Sequence, residues 1–292
     1  MPKGQLRAAS CIVQGMRWVV IVGSILLAVV SAGPSNAAEY PWLAHALTRS
    51  VATAFDPPAG FVRVPVESGS FADWLRHLPI ERGDARLVLY DGRPVVDDGG
   101  AAAVVDIDVG HSDLQQCADA VMRLRAEYLY SHRLPGLIGF DLFDGERYRF
   151  LAYAEGTTPV ATGETIAWQN GRPRDATHAD LRRWLDIVYG FASTRSLARE
   201  LRPVGRFADA AIGDVLVRPG SPGHAVVIVD MASDPASGRR MVIIAESSMP
   251  ARSVRISRNP QDPALGPWLP LDDSRPLLLP GTSFDGSQLR RF

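Results

Sequence analysis

The chain has 292 residues, 46% of them apolar and 22% charged, enough for one large domain or two small ones with a hydrophobic core; a disordered or fibrous protein is excluded. Its 31 basic and 32 acidic residues leave a formal net charge of -1, with no basic stripe to follow a phosphate backbone. Nucleic acid is therefore not an expected partner.

The first 37 residues read as a signal peptide. Lys3, Arg7 and Arg17 precede an uncharged apolar run from Val19 to Ala32, and Ser35-Asn36-Ala37 supplies the small residues of a cleavage site, placed after Ala37. The run is short beside the roughly 20 residues a membrane span needs, and Pro34 breaks a continuing helix. An uncleaved anchor is the competing reading, and Met16 is an alternative start. Cys11 precedes the apolar run, which argues against a lipoprotein. The expected location is periplasmic or secreted, with no stable membrane span after cleavage and residues 38–292 as a single domain. Cys117 is then the sole cysteine, without a disulfide partner, so its thiol is either well buried or used.

The mature chain alternates helix and strand signals. "SFADWLRHLP" (70–79) predicts a short helix capped by Ser70 and stopped by Pro79. "ARLVLYDGRPV" predicts a strand turning at Asp91-Gly92. "AAAVVDIDVG" (101–110) alternates as a half-buried strand does, with Asp106 and Asp108 on one face. A helix is expected from Asp113 to about Tyr130, with Ser112 and Gln115 as its capping box. "LIGFDLFDGERYRFLAY" predicts a hairpin about Asp144-Gly145. Residues 177–204 predict a helix interrupted between Gly190 and Thr194. Three strands follow at 214–218, 224–231 and 241–247, joined by Pro219-Gly220-Ser221-Pro222-Gly223 and by the turn at 233–238. The last two are almost wholly apolar and mark the centre of a sheet.

Cys117 and His224 are the residues with chemistry to offer. Near the start of a helix, Cys117 lies in a field that stabilises a thiolate and beside amide groups able to hold an oxyanion. His224 opens a buried strand after a glycine-rich turn, a setting for an imidazole that exchanges a proton. A hairpin centred near Pro235 sets Glu246 opposite His224 as an orienting carboxylate; a slip of one residue sends Glu246 to the other face and leaves Ser247 or Ser248 there. The structural alternatives stay open: Leu114, Cys117, Val121, Leu124 and Tyr128 form an apolar helical stripe, and His224 and Glu246 also suit purely structural roles. Asp106 and Asp108 lack the companions of a calcium loop, no histidine pair has zinc spacing, and no phosphate loop is present, so neither metal nor cofactor is expected. Arg252, Arg255 and Arg258 read as a solvated strand face.

A cysteine at a helix start, then a "GD" strand, a glycine-rich turn, the "GHAVVIVD" strand and a further strand ending in a polar residue resembles the papain-like fold, in particular the NlpC-type and amidase-type bacterial cell-wall hydrolases. That resemblance implies an α+β fold in which the cysteine helix packs on a mainly antiparallel sheet. It makes Cys117 the nucleophile, His224 the base and acid, Glu246 the orienting group, and Gln115 or Gln116 the counterpart of papain's oxyanion glutamine. The implied substrate is a peptide or a cell-wall amide. The local sequence differs: papain has a tryptophan two residues after its cysteine and NlpC-type enzymes have Asp-Cys-Ser, where this chain has Gln116-Cys117-Ala118-Asp119. The stretches "DLQQCADAVMRLRAEYLY", "GDVLVRPGSPGHAVVIVDMA" and "NPQDPALGPW" also resemble a bacterial family known only as a domain of unknown function, over nearly everything after residue 50. Two functions of different classes follow, an exported cysteine hydrolase or a catalytically inactive envelope binding or interaction protein of the same fold.

Overall fold

The computed structural model describes residues 39–83, 86–96 and 99–292. The signal peptide expected at 1–37, and its cleavage point, lie outside them. Among the described residues no helix is long and apolar enough to cross a membrane.

A nine-stranded sheet organises the fold, and every ladder in it is antiparallel. In chain order its strands are β1 (Val62–Arg63), β2 (Ala101–Val104), β3 (Arg202–Pro203), β4 (Val215–Arg218), β5 (His224–Ser233), β6 (Arg240–Glu246), β7 (Arg255–Ser257), β8 (Leu269–Leu271) and β9 (Leu289–Arg291). Across the sheet the order is β2-β7-β6-β5-β4-β9-β3, with β1 added to β5 and β8 to β6. The apolar strands β5 and β6 lie at its centre, buried along almost their whole length, because each pairs on both sides and is covered on both faces. Separate hairpins join 139–141 to 147–149, 157–162 to 165–170 and 277–279 to 282–284. The first is the hairpin expected about Asp144-Gly145, where Gly145 takes a positive φ.

Four helices matter for the site: α1 (Phe71–Arg76), α2 (Cys117–Ser131), α3 (His178–Phe191) and α4 (Thr194–Glu200). The Ser70 hydroxyl caps α1 by accepting the Asp73 N–H at 3.2 Å, and the expected interruption near 190–194 is the short break between α3 and α4. Helix α2 packs on β5 and β6 and also meets α3. Ten of its fifteen residues are buried, among them Arg123 and Glu127, so it carries no single apolar stripe. Arg123 and Glu127 answer each other at 2.6 Å. Arg123 also donates to Asp108 at 3.1 Å, and Glu127 meets the His178 ring at 2.9 Å at the start of α3.

Three expectations are corrected. The helix starts at Cys117 and not at Asp113, because the polar side chains before it are taken by tertiary bonds. Asp113 accepts the Ala251 N–H at 2.6 Å, and Gln115 is buried between the Arg123 guanidinium (3.0 Å) and the Asp108 carbonyl (3.2 Å). The strand expected over 101–110 forms a ladder only at 101–104, with Val105 in an isolated bridge to Ile80. Asp106 and Asp108 beyond it take separate partners, His45 at 3.1 Å for the first and Arg123 with Arg182 for the second. Likewise "ARLVLYDGRPV" turns at Asp91-Gly92 but holds only isolated bridges, Val88 to Pro94 and Leu89 to Arg252.

At the far end of β5, fully buried Asp230 accepts from Arg63 and Arg76, each at 2.7 Å. Removing one member of such a cluster strands the others in a low-dielectric interior. Asp230→Ala should therefore lower the unfolding free energy by about 3–5 kcal/mol, read from urea melts, whereas a shift within the ordinary scatter of surface substitutions would refute the assignment.

Candidate active site

The turn between β4 and β5 places His224. Gly223 lies so close to α4 that a Cβ there would sit 2.1 Å from the Thr194 hydroxyl and 3.0 Å from the Arg218 carbonyl. Only glycine fits, and Thr194, buried at the start of α4, also receives the Gly220 N–H at 3.4 Å. The imidazole that follows is mostly buried, its ring stacked near Phe284 with centroids 6.0 Å apart.

The His224 Nε2 lies 2.8 Å from the Glu246 Oε2. The two residues are not directly opposite, as the simple hairpin predicts. The ladder runs Arg240 against Ser233 to Ile243 against Asp230, then resumes with Ile244 against Ile228, leaving Val229 as an extra residue in β5. Continued without that bulge, the register would put Glu246 and His224 on opposite faces. The single extra residue reverses the parity, so the two share a face as a diagonal pair.

Glu246 is itself held. Its Oε1 accepts from Arg255 at 3.0 and 3.2 Å and from the Ser257 hydroxyl, and Arg255 is its direct neighbour across the β6–β7 ladder. Burial pushes the carboxyl up, but the His224 hydrogen bond and the Arg255 charge overcome it and hold it below the usual carboxylate range. Arg255 thus belongs to the site and not to a solvated strand face. Of its companions, Arg252 donates to the Met249 and Pro250 carbonyls and Arg258 to the Ala101 carbonyl. The alternation of Ser253, Arg255 and Ser257 against Val254 and Ile256 was the available signal, for it sets three polar side chains on one strand face.

Cys117, the first residue of α2, lies near enough for its thiol to act on the ring. Glu246 engages Nε2, which leaves Nδ1 without that partner. Burial works to lower the His224 pKa, but the bonds to Cys117 and Glu246 outweigh it and raise it to about 9. The first intrahelical bond runs from the Ala120 N–H to the Gln116 carbonyl, so the Cys117 and Ala118 amides precede the ladder. Cys117 is half-buried and opens on a cleft of about 220 Å³ lined also by Gln116, Asp119, Tyr189, Thr194 and Gly223. Gln116 donates its side-chain amide to Asp113 at 3.1 Å. No group of three or more His, Cys, Asp or Glu side chains suited to a metal occurs among the described residues.

Residues 51–291 match a family described as a domain of unknown function, DUF4846. The chain belongs to this family. The DUF4846 match spans Cys117, His224, Glu246 and Arg255 together, with all nine strands of the main sheet. No curated protein and no solved structure matches the chain.

Two outcomes are expected. Because the folded imidazole keeps its proton up to about pH 9 while the unfolded one releases it near 6.5, the pair's contribution to stability is complete below pH 6.5 and is lost as pH rises through 9. Urea midpoints should fall across that window in the wild type and flatten in His224→Gln; equal slopes would refute the coupling. Gly223→Ala should cost about 1–3 kcal/mol by overpacking against Thr194 and slow iodoacetamide labelling of Cys117, and an unchanged melt would show that the turn gives way freely.

Proposed function

We propose that the protein is an exported cysteine hydrolase of papain-like architecture, acting on an amide or peptide bond, in the cell wall on the reading the NlpC resemblance favours. The observation that carries this is an imidazole bonded to a buried carboxylate and acted on by the thiol at the start of α2, where that thiol opens on a cleft. Export rests on the leader pattern alone.

In this reading His224 already holds the proton drawn from Cys117, and the sulfur attacks the substrate carbonyl carbon. The Cys117 and Ala118 amides at the positive end of α2 receive the developing oxyanion, with the Gln116 side chain beside them. Gln115 is not available for that role, since both ends of its amide are already bonded. His224 then gives its proton to the leaving nitrogen as the C–N bond breaks and a thioester forms. Water, deprotonated by the same ring, attacks the thioester and releases the acid and the thiol. Glu246 fixes the ring by accepting from Nε2, and Arg255 with Ser257 keeps that carboxylate ionised and aimed. The step needs no metal or cofactor.

Iodoacetamide should modify Cys117 in the folded protein near pH 6, and His224→Ala should slow that reaction by about 10²-fold or more, the ordinary scale of a general base. Cys117→Ala should abolish hydrolysis across an amide and peptide substrate panel while moving unfolding stability by no more than about 1 kcal/mol, as befits a half-buried small side chain. A thiol silent until denaturation would sink the hydrolase and leave an envelope binding module.

A further inference from the structure

Asp119 lies two residues beyond the candidate nucleophile and lines the same cleft, yet it is buried, with 7% of its surface exposed. One carboxylate oxygen accepts the Gln116 backbone N–H at 3.0 Å, as the third residue of a helix commonly does. Capping carboxylates ordinarily lie in water. This one is taken out of water without a cation: burial pushes its carboxyl up to about 7, and only the Gln116 and Asp119 backbone amides pull the other way. The other buried carboxylates near α2 are compensated, Glu127 by Arg123 and His178, and Glu246 by Arg255 and His224.

A second orphan stands on the same wall. Tyr189, from the last turn of α3, lines the cleft, and its hydroxyl is buried with no hydrogen-bond partner among the described residues. Burial pushes this phenol above the ordinary tyrosine range; the Arg123 and Arg182 charges oppose the shift, and the Asp119 charge adds a smaller push in the same direction as burial. An uncompensated carboxylate and an unmatched hydroxyl, both out of water and both at a cleft, are stabilised together by a ligand that brings a positive charge and N–H donors.

We infer that Asp119 and Tyr189 form a recognition site for a substrate ammonium group, so that the preferred substrate carries an unblocked amino group close to the bond Cys117 attacks. The inference rests on the hydrolase reading for the identity of that bond, but the charge preference is a property of the cleft and is measurable by itself. The ammonium donates to the Asp119 carboxylate and to the Tyr189 oxygen. Substrates acylated at that amine, or carrying a carboxylate in its place, are refused.

Three methanethiosulfonates of similar size test this: 2-aminoethyl (cationic), ethyl (neutral) and 2-sulfonatoethyl (anionic). Each reacts in the same way, the Cys117 sulfur attacking the sulfenyl sulfur to form a mixed disulfide as methanesulfinate leaves. Rates on the full chain are read at the Cys117 peptide by mass spectrometry, which separates it from Cys11. Relative to the urea-unfolded chain, the folded protein should favour the cationic reagent over the neutral one by about tenfold or more, a small part of the attraction available at partly buried sites. The anionic reagent should be slowest. His224 carries its own positive charge beside the sulfur, which makes this a strict test. Asp119→Asn keeps an acceptor for the Gln116 N–H and should erase the preference, and Tyr189→Phe should reduce it about threefold, one modest hydrogen bond. If Asp119→Asn does not fold, Tyr189→Phe decides. A folded wild type with no cationic preference, or a preference untouched by either variant, overturns the inference even where neutral labelling is fast and dependent on His224. Slow neutral labelling indifferent to His224 removes the hydrolase reading instead, whatever the charge preference.

Discussion

The site turns on one buried carboxylate. Glu246 is 3% exposed at the end of a central strand, where an isolated charge would cost several kcal/mol and would neutralise itself. It stays charged because β7 brings Arg255 directly across the ladder and Ser257 to the same oxygen, while His224 meets the other oxygen from β5. Three neighbouring strands therefore have to be assembled before the imidazole has an orientation at all. The sheet's strand order and the ring's tautomer are two descriptions of a single constraint.

Helix α2 answers a similar problem by different means. It is buried between the sheet and α3, and a helix so placed has nowhere to send charged residues. Arg123 and Glu127 neutralise each other within the helix and reach outward to Asp108 and His178. The same network takes up Gln115, which frees the backbone before Cys117 from the helix and sets the thiol on the first turn. A polar network on one face of the helix thereby fixes where its reactive end begins.

Much of this was legible in the residues. The two apolar strands, the glycine-rich turn before His224 and the break between α3 and α4 are local signals, written in composition and turn chemistry. Ser112 and Gln115 have the spacing of a capping box and point to a helix start at Asp113, because nothing local reveals that Gln115 is spent on Arg123. Arg255 reads as solvent-facing from sequence because its partner lies across the 247–254 connection, and loop length alone does not give a register. Nothing local marks Asp119 as buried, since only tertiary packing takes it out of water. The DUF4846 match agrees with the extent of the fold but carries no chemistry with it.

The extra residue at Val229 separates two parts of the hairpin that a regular ladder would link. Which face Glu246 presents is decided within β5, several residues away from the exposed connection at 234–239. That connection is free to lengthen or shorten in related chains, or to accept an inserted label, without disturbing the imidazole at the opposite end of the strand. Natural variation in length should gather at this tip and avoid the bulge.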